Sequence, residues 1–260
     1  MSLKGRVALV TGGGRGIGKA IALALAEDGA DIAIVYRKDK DSAQATADTI
    51  TAIGRKARAY QAPVDDLAAV TNAVARIAEE LGPIGILINN AGISSRGNSV
   101  AETDPAEIAR VVGVHAFGAF YCSRLVLPMM RKLGRGDIIM ISSIASRNWP
   151  ALGAPYNMGK AALEALGFTL AQEERNNNIR VNIVAAGLTA TEMGTKLAQA
   201  AFGVKSDIHE LDAKMPFGRV SGPEDVANLV RFLVSDRNSY VSGQRIYVDG
   251  ALWAWDPTRA

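Results

Sequence analysis

The feature of this 260-residue chain that most narrows its possible folds is the regular return of short, β-branched apolar runs separated by helix-length stretches. The runs fall at residues 7–10, 32–35, 57–60, 86–88, 138–141, 180–184 and 245–248. Strand and helix alternating in this way predict an α/β fold, a doubly wound parallel sheet of about seven strands with helices on both faces. Runs that are apolar on both sides suit a sheet covered above and below, where right-handed crossovers are nearly obligatory. Helix starts sit in the gaps: Thr103-Asp104-Pro105, Pro155, and Ser221-Gly222-Pro223-Glu224-Asp225 each place a capping residue or a proline at a first turn. No linker, repeat or low-complexity tract interrupts the pattern, so one domain over residues 1–260 is expected. The long poorly periodic segment, 187–222, follows a strand end, where open α/β sheets bind ligands, and reads as a substrate lid.

Composition excludes several classes of function. Lysine and arginine total 29 against 26 acids, a surplus too small and too dispersed to suggest nucleic acid. One cysteine, Cys122, and two histidines, His115 and His209, rule out a disulfide framework or a Cys/His zinc cluster, and Cys122 reads as a small buried hydrophobe. No signal-peptide pattern opens the chain and no apolar run approaches membrane-spanning length, so a soluble cytoplasmic protein is expected.

The first strand runs into Thr11-Gly12-Gly13-Gly14-Arg15-Gly16-Ile17-Gly18 and then a good helix, with Gly29 past its end. Glycines here let the backbone approach a pyrophosphate, and a helix N-terminus supplies N–H donors and a favourable dipole. A P-loop is excluded because Ala20 stands where Ser or Thr must ligate Mg²⁺. The common G-x-G-x-x-G fingerprint fails in either frame, since Ile17 or Lys19 takes the third glycine's place. What remains is the spacing of Gly12, Gly16 and Gly18.

Further along, Tyr156 and Lys160 lie four residues apart, on one face of a helix. A free tyrosine titrates near 10, so proton transfer at neutral pH asks for a shift of roughly 3 units, about 4 kcal/mol. A neighbouring ammonium supplies the correct sign. Ser143 precedes the tyrosine by thirteen residues, at the carboxyl end of the fifth strand.

The glycine spacing, Asn89-Asn90-Ala91-Gly92 after the fourth strand, and the order Ser143, Tyr156, Lys160 together resemble the short-chain dehydrogenase/reductase family, over nearly the whole chain. The resemblance extends to Arg219, to 223–227 and to Val248-Asp249-Gly250. It implies that Tyr156 is general acid in reduction and base in oxidation. It further implies that Ser143 hydrogen-bonds the carbonyl oxygen, that Lys160 holds the ribose and tunes Tyr156, and that a nicotinamide cofactor carries the hydride. The cofactor-binding residues implied are Gly12, Arg15, Gly16, Ile17, Gly18, Tyr36, Arg37, Val64, Asp65, Asn90, Ala91, Gly92, Tyr156, Lys160, Leu188 and Thr191. A homotetramer is also implied, and helices around 116–120 and 163–170, apolar beyond one stripe, agree with it.

The chain departs from the family's pattern at several places. His115 stands where relatives carry an asparagine of a proton relay; it either holds a relay water through a ring nitrogen or is a hydrogen-bonded structural histidine. Pro-Gly after the sixth strand is Ala186-Gly187, the usual aspartate after the third is Pro63, and Asp249-Gly250 is followed by Ala251. Trp253 and Trp255 suggest a tail packed on a neighbouring subunit.

The second strand ends Val35-Tyr36-Arg37-Lys38, without the acid that would grip the ribose hydroxyls of NAD. Arg37, helped by Arg15, is suited to the 2′-phosphate of NADP, so NADP(H) is expected, with NAD(H) possible. Ser94, Ser95, Ile144, Asn148, Trp149, Leu188, Met193 and Leu197 would border a carbonyl or alcohol substrate, and their mostly apolar character suits a hydrophobic one. An NAD-linked alcohol dehydrogenase and a nicotinamide-binding sensor without chemistry remain open alternatives.

Overall fold

The computed structural model describes residues 2–252; Trp253 and Trp255 lie outside the described residues. The chain alternates strand and helix as its apolar periodicity requires. β1 (Val7–Thr11), β2 (Asp31–Tyr36), β3 (Ala57–Gln61), β4 (Ile84–Asn89), β5 (Gly136–Ser143), β6 (Ile179–Ala186) and β7 (Arg245–Val248) form one sheet in the order β3-β2-β1-β4-β5-β6-β7. Every pairing is parallel, and Ser143 at the end of β5 is in register with Ala186 at the end of β6.

Side chains along β1 alternate between two cores. Val7 and Leu9 face one, and Ala8 and Val10 face the other. The first core is covered by α3 (Leu67–Glu80), α5 (Gly118–Leu133) and α7 (Ala154–Glu174), the second by α1 (Gly16–Glu27), α2 (Lys40–Ala52) and α9 (Pro223–Val234). Burial on both faces is what removes the in/out polarity of the strand sequences. Near the amino ends of the strands, Asp137 is buried among Arg6, Arg135 and Arg180, the Arg6 and Arg180 contacts being 2.7 and 2.6 Å. That cluster anchors the end of β5 opposite Ser143.

The helix after β4 is interrupted. α4 (Pro105–Val112) and α5 are joined by a π-turn over Gly113–Phe117, in which the Gly118 amide reaches back to the Gly113 carbonyl. Residues 105–133 are long and apolar enough, by length and composition alone, to span a membrane, which the run-by-run sequence reading did not anticipate. In this fold the stretch packs on β4, α3 and α7. The 187–222 segment is more regular than its sequence suggested. It contains α8 (Glu192–Phe202), N-capped by Thr191, and its two ends are pinned together where Thr189 pairs with Ser221.

Candidate active site

The sheet order reverses direction between β1 and β4, which opens a crevice at the carboxyl edge between them. The glycine turn lies there. A side chain at Gly18 would place its Cβ 2.3 Å from the Gly12 carbonyl oxygen and 2.5 Å from Asn90 Nδ2, so only glycine lets α1 begin so close to β4. Gly12 and Gly16 adopt φ of 65° and 52°, the left-handed region. Arg15 precedes α1 in extended conformation without a side-chain cap, so the first-turn amides keep donors for an anion. The turn therefore fits a dinucleotide pyrophosphate.

Asn90 braces this turn: its Nδ2 donates to the carbonyls of Thr11 at 2.9 Å and Gly12 at 3.2 Å. Thr11 Oγ1 accepts from the amides of Asn90 and Ala91, both at 3.0 Å, and donates to the Ile88 carbonyl. Tyr36 ends β2 half-buried and Arg37 follows it exposed. Arg15 does not point freely beside it, because its guanidinium is 2.6 Å from Glu192 at the start of α8. At the end of β3, Val64 is buried against Gly118, which leaves Asp65 as the exposed member of that pair.

Helix α7 starts at a proline turn and brings Tyr156 and Lys160 onto one face, as their spacing required. Burial raises the phenol's pKa above the usual value of 10.0, and the neighbouring Ser143 hydroxyl opposes the rise. Lys160 Nζ lies 5.6 Å from the Tyr156 ring centroid and donates to the Ile141 carbonyl at 2.7 Å. Burial lowers its pKa to about 7, against the opposing charge of Glu164. Ser143, Tyr156 and Lys160 thus converge at the carboxyl edge, beside the glycine turn.

His115 sits in the π-turn, only 2% exposed, between Gly92 and Gly159. Its Nε2 is 2.9 Å from the Ile93 carbonyl oxygen and 3.3 Å from the Ile93 amide. Burial first, then the Lys160 charge, drive its pKa to about 3, so the imidazole is neutral. Nδ1 has no partner, and the ring borders a small cavity of about 10 Å³ shared with Thr11 and Asn89.

Around the mouth, Trp149 and Leu152 are exposed and hold left-handed backbone at φ 48° and 62°. Such strain in non-glycine residues concentrates at ligand sites. Thr191 caps α8 by accepting from Gly194, and Leu188 packs partly buried on the small apolar cluster of 198–220. No metal-holding group of His, Cys, Asp and Glu occurs among the described residues. Cys122 is buried, its thiol pushed up to about 12.

Three contributors escaped the sequence. Glu164 accepts from Ser142 and Ser146 and pairs with Arg245. Glu107, buried on α4, accepts the Arg96 amide at 2.6 Å and fixes the loop after β4. Glu192 engages Arg15. Only Glu164 left a signal, an acid one turn beyond Lys160 on a helix face otherwise facing inward.

Comparison with known proteins agrees with this architecture. Residues 12–252 match the family model described as Enoyl-(Acyl carrier protein) reductase. The chain is 37% identical to a 3alpha-hydroxysteroid dehydrogenase of Mediterraneibacter gnavus, over 96% of this chain and 98% of that protein. A short-chain dehydrogenase of Burkholderia cenocepacia solved with NADP superposes with TM-score 0.86 at 37% identity, covering 96% and 98% of the two chains. An NAD⁺-bound xylitol dehydrogenase superposes with TM-score 0.89 at 28% identity, covering 96% and 100%.

Proposed function

The chain belongs to the short-chain dehydrogenase/reductase family and is an oxidoreductase; on that premise we propose that it interconverts a carbonyl compound and a secondary alcohol with NADP(H). The observation that carries this reading is the Tyr156 phenol beside the Ser143 hydroxyl, with buried Lys160 one turn away. A bound nicotinamide would supply or accept the hydride. Tyr156 gives its proton to the substrate oxygen in reduction and takes it back in oxidation, while Ser143 orients that oxygen. Lys160, where cationic, favours the phenolate. Its donors also suit the ribose hydroxyls.

His115 acts in this reading by position. A ring neutral down to about pH 3 does not exchange protons during turnover. With its proton on Nε2 it donates to the Ile93 carbonyl, which fixes the loop after β4 beside Tyr156.

NADP(H) is favoured by exposed Arg37 and the absence of an acid at the end of β2. A specific observation keeps NAD(H) as a second reading: Arg15 is held by Glu192 and lies within the field of Asp39, so Arg37 carries the 2′-phosphate with less help. Exposed Trp149, Met193 and Leu197 suit an apolar ketone or alcohol beneath the 187–222 lid. Phe117 at the end of the π-turn, Phe120 on α5 and Phe168 on α7 lie exposed and suit burial between subunits of a homotetramer.

The test is separate titration with NADPH and NADH, followed by thermal stability and nicotinamide fluorescence, then a carbonyl panel. Tighter NADPH binding with turnover of an apolar ketone is expected. Tighter NADH binding overturns the cofactor assignment, and cofactor binding without turnover on any carbonyl or alcohol favours a nicotinamide sensor.

A further inference from the structure

Glu164 lies one helical turn beyond Lys160 and two beyond Tyr156, so the three share a face of α7. It is 4% exposed, a depth at which a carboxylate survives only with compensating partners. It has three. Ser142 Oγ and Ser146 Oγ donate to Oε1 at 2.6 and 2.5 Å, and Arg245 on β7 donates to Oε2 at 2.7 Å. The two serines flank Ser143 on either side of the β5 end, and Ser146 also lies 2.8 Å from the Ser143 carbonyl. One carboxylate therefore joins the catalytic helix, the turn that presents Ser143, and the outer strand of the sheet.

We infer that Glu164 is a positioning residue of the Ser143, Tyr156 and Lys160 group: its carboxylate keeps buried Lys160 cationic and fixes the turn that carries Ser143. The inference rests on the catalytic reading above for its kinetic consequence, but its electrostatic half does not depend on turnover. Around Lys160, Tyr156 and Glu164 come from its own helix, neutral His115 from the π-turn, and the Ile141 carbonyl that accepts its ammonium from β5. Around Glu164 in turn stand Ser142 of β5, Ser146 of the short helix α6 (Ala145–Asn148) and Arg245 of β7. Burial pulls the Lys160 ammonium toward its neutral form, and among these groups Glu164 supplies the opposing charge. Arg245 works against it by offsetting the carboxylate. Opposite substitutions must then move Lys160 in opposite directions, which a merely structural role for Glu164 does not require.

The experiment uses cofactor-free protein labelled with ¹³Cε-lysine, with the Lys160 resonance assigned by its loss in Lys160→Met, and follows its titration by NMR. In the unaltered protein the midpoint is expected at about 7. Glu164→Gln should lower it by about one pH unit, Glu164→Asp should largely restore it, and Arg245→Met should raise it. An unchanged midpoint in folded Glu164→Gln overturns the inference. If that variant does not fold, Arg245→Met decides alone, and an unchanged or lowered midpoint has the same effect. In the kinetic arm, alcohol oxidation by Glu164→Gln at pH 7 should fall roughly tenfold with its acid limb moved upward and little change in substrate KM. A shifted Lys160 midpoint with an unshifted rate profile supports the coupling and overturns instead the role given to Lys160 in catalysis.

Discussion

The His115 ring stands edge-on to the Tyr156 ring, centroids 5.2 Å apart and planes at 86°, so the residue that departs from the family's pattern packs directly on the proposed acid. Its room comes from Gly159. A Cβ there would lie 3.1 Å from His115 Cβ and Cδ2, a contact that forces the imidazole to move.

The pair should therefore be energetically coupled. Gly159→Ala in the His115→Asn background should gain about 0.5–1 kcal/mol from helix propensity. In the His115 protein the same change should be neutral or destabilising, through displacement of the ring. Denaturant melts of the four proteins give the coupling, expected at 0.5 kcal/mol or more; additivity within error would deny the contact its importance. Because His115 acts by position, His115→Asn should keep most of the turnover.

His115 also sets an acid limit on stability. Its folded pKa of about 3 lies below the usual 6.5, so the unfolded chain binds a proton between these values and the folded chain does not. Stability from this group is full above pH 6.5 and is lost as pH falls toward 3. Relative to His115→Asn, the unaltered protein should lose roughly 2 kcal/mol between pH 7 and pH 4.5. Parallel pH–stability curves for the two proteins would contradict the assignment.

Lys160 should show a signature of the same sign in a higher pH window. Its folded pKa of about 7 lies below the usual 10.5, so the unfolded chain is the better proton acceptor between those values. The penalty for burying it is largest at and below pH 7 and fades as pH rises toward 10.5. In cofactor-free thermal melts, Lys160→Met should be more stable than the unaltered protein at pH 6, with the difference shrinking by pH 9.5. Tyr156→Phe, by contrast, should lose turnover by roughly 10²-fold or more while binding cofactor normally; near-normal turnover would remove Tyr156 from its proposed role.

Cofactor choice should respond to two charges of opposite effect. Arg37→Asp should weaken NADPH relative to NADH by roughly 10- to 100-fold, the equivalent of about 1.5–3 kcal/mol for a charge-assisted bond. Glu192→Gln releases Arg15 from its 2.6 Å ion pair and should tighten NADPH modestly, with less effect on NADH. Fluorescence titration of each variant with both cofactors checks both. An unaltered preference in Arg37→Asp would place the 2′-phosphate contacts elsewhere.

The sequence by itself determined the strand–helix alternation, the glycine turn and the Tyr156–Lys160 face, because each follows from local geometry: strand periodicity, the steric demand at Gly18, a four-residue helical step. The grouping of Ser143 with that pair came from the family resemblance, and the bonds of Asn90 to Thr11 and Gly12 emerged only with the fold. Only the tertiary structure decided that Arg15 faces Glu192 rather than open solvent, that Val64 turns into the core against Gly118, and that 105–133 is a broken core helix. It also decided that Glu164 meets Arg245, 81 residues away, and that His115 lies neutral against Ile93 and Tyr156. These depend on which side chains the sheet order and the helix packing bring together across long separations, and on how deeply that packing buries them. Burial and long-range pairing set the charge state of a group; neither is written in its neighbours along the chain.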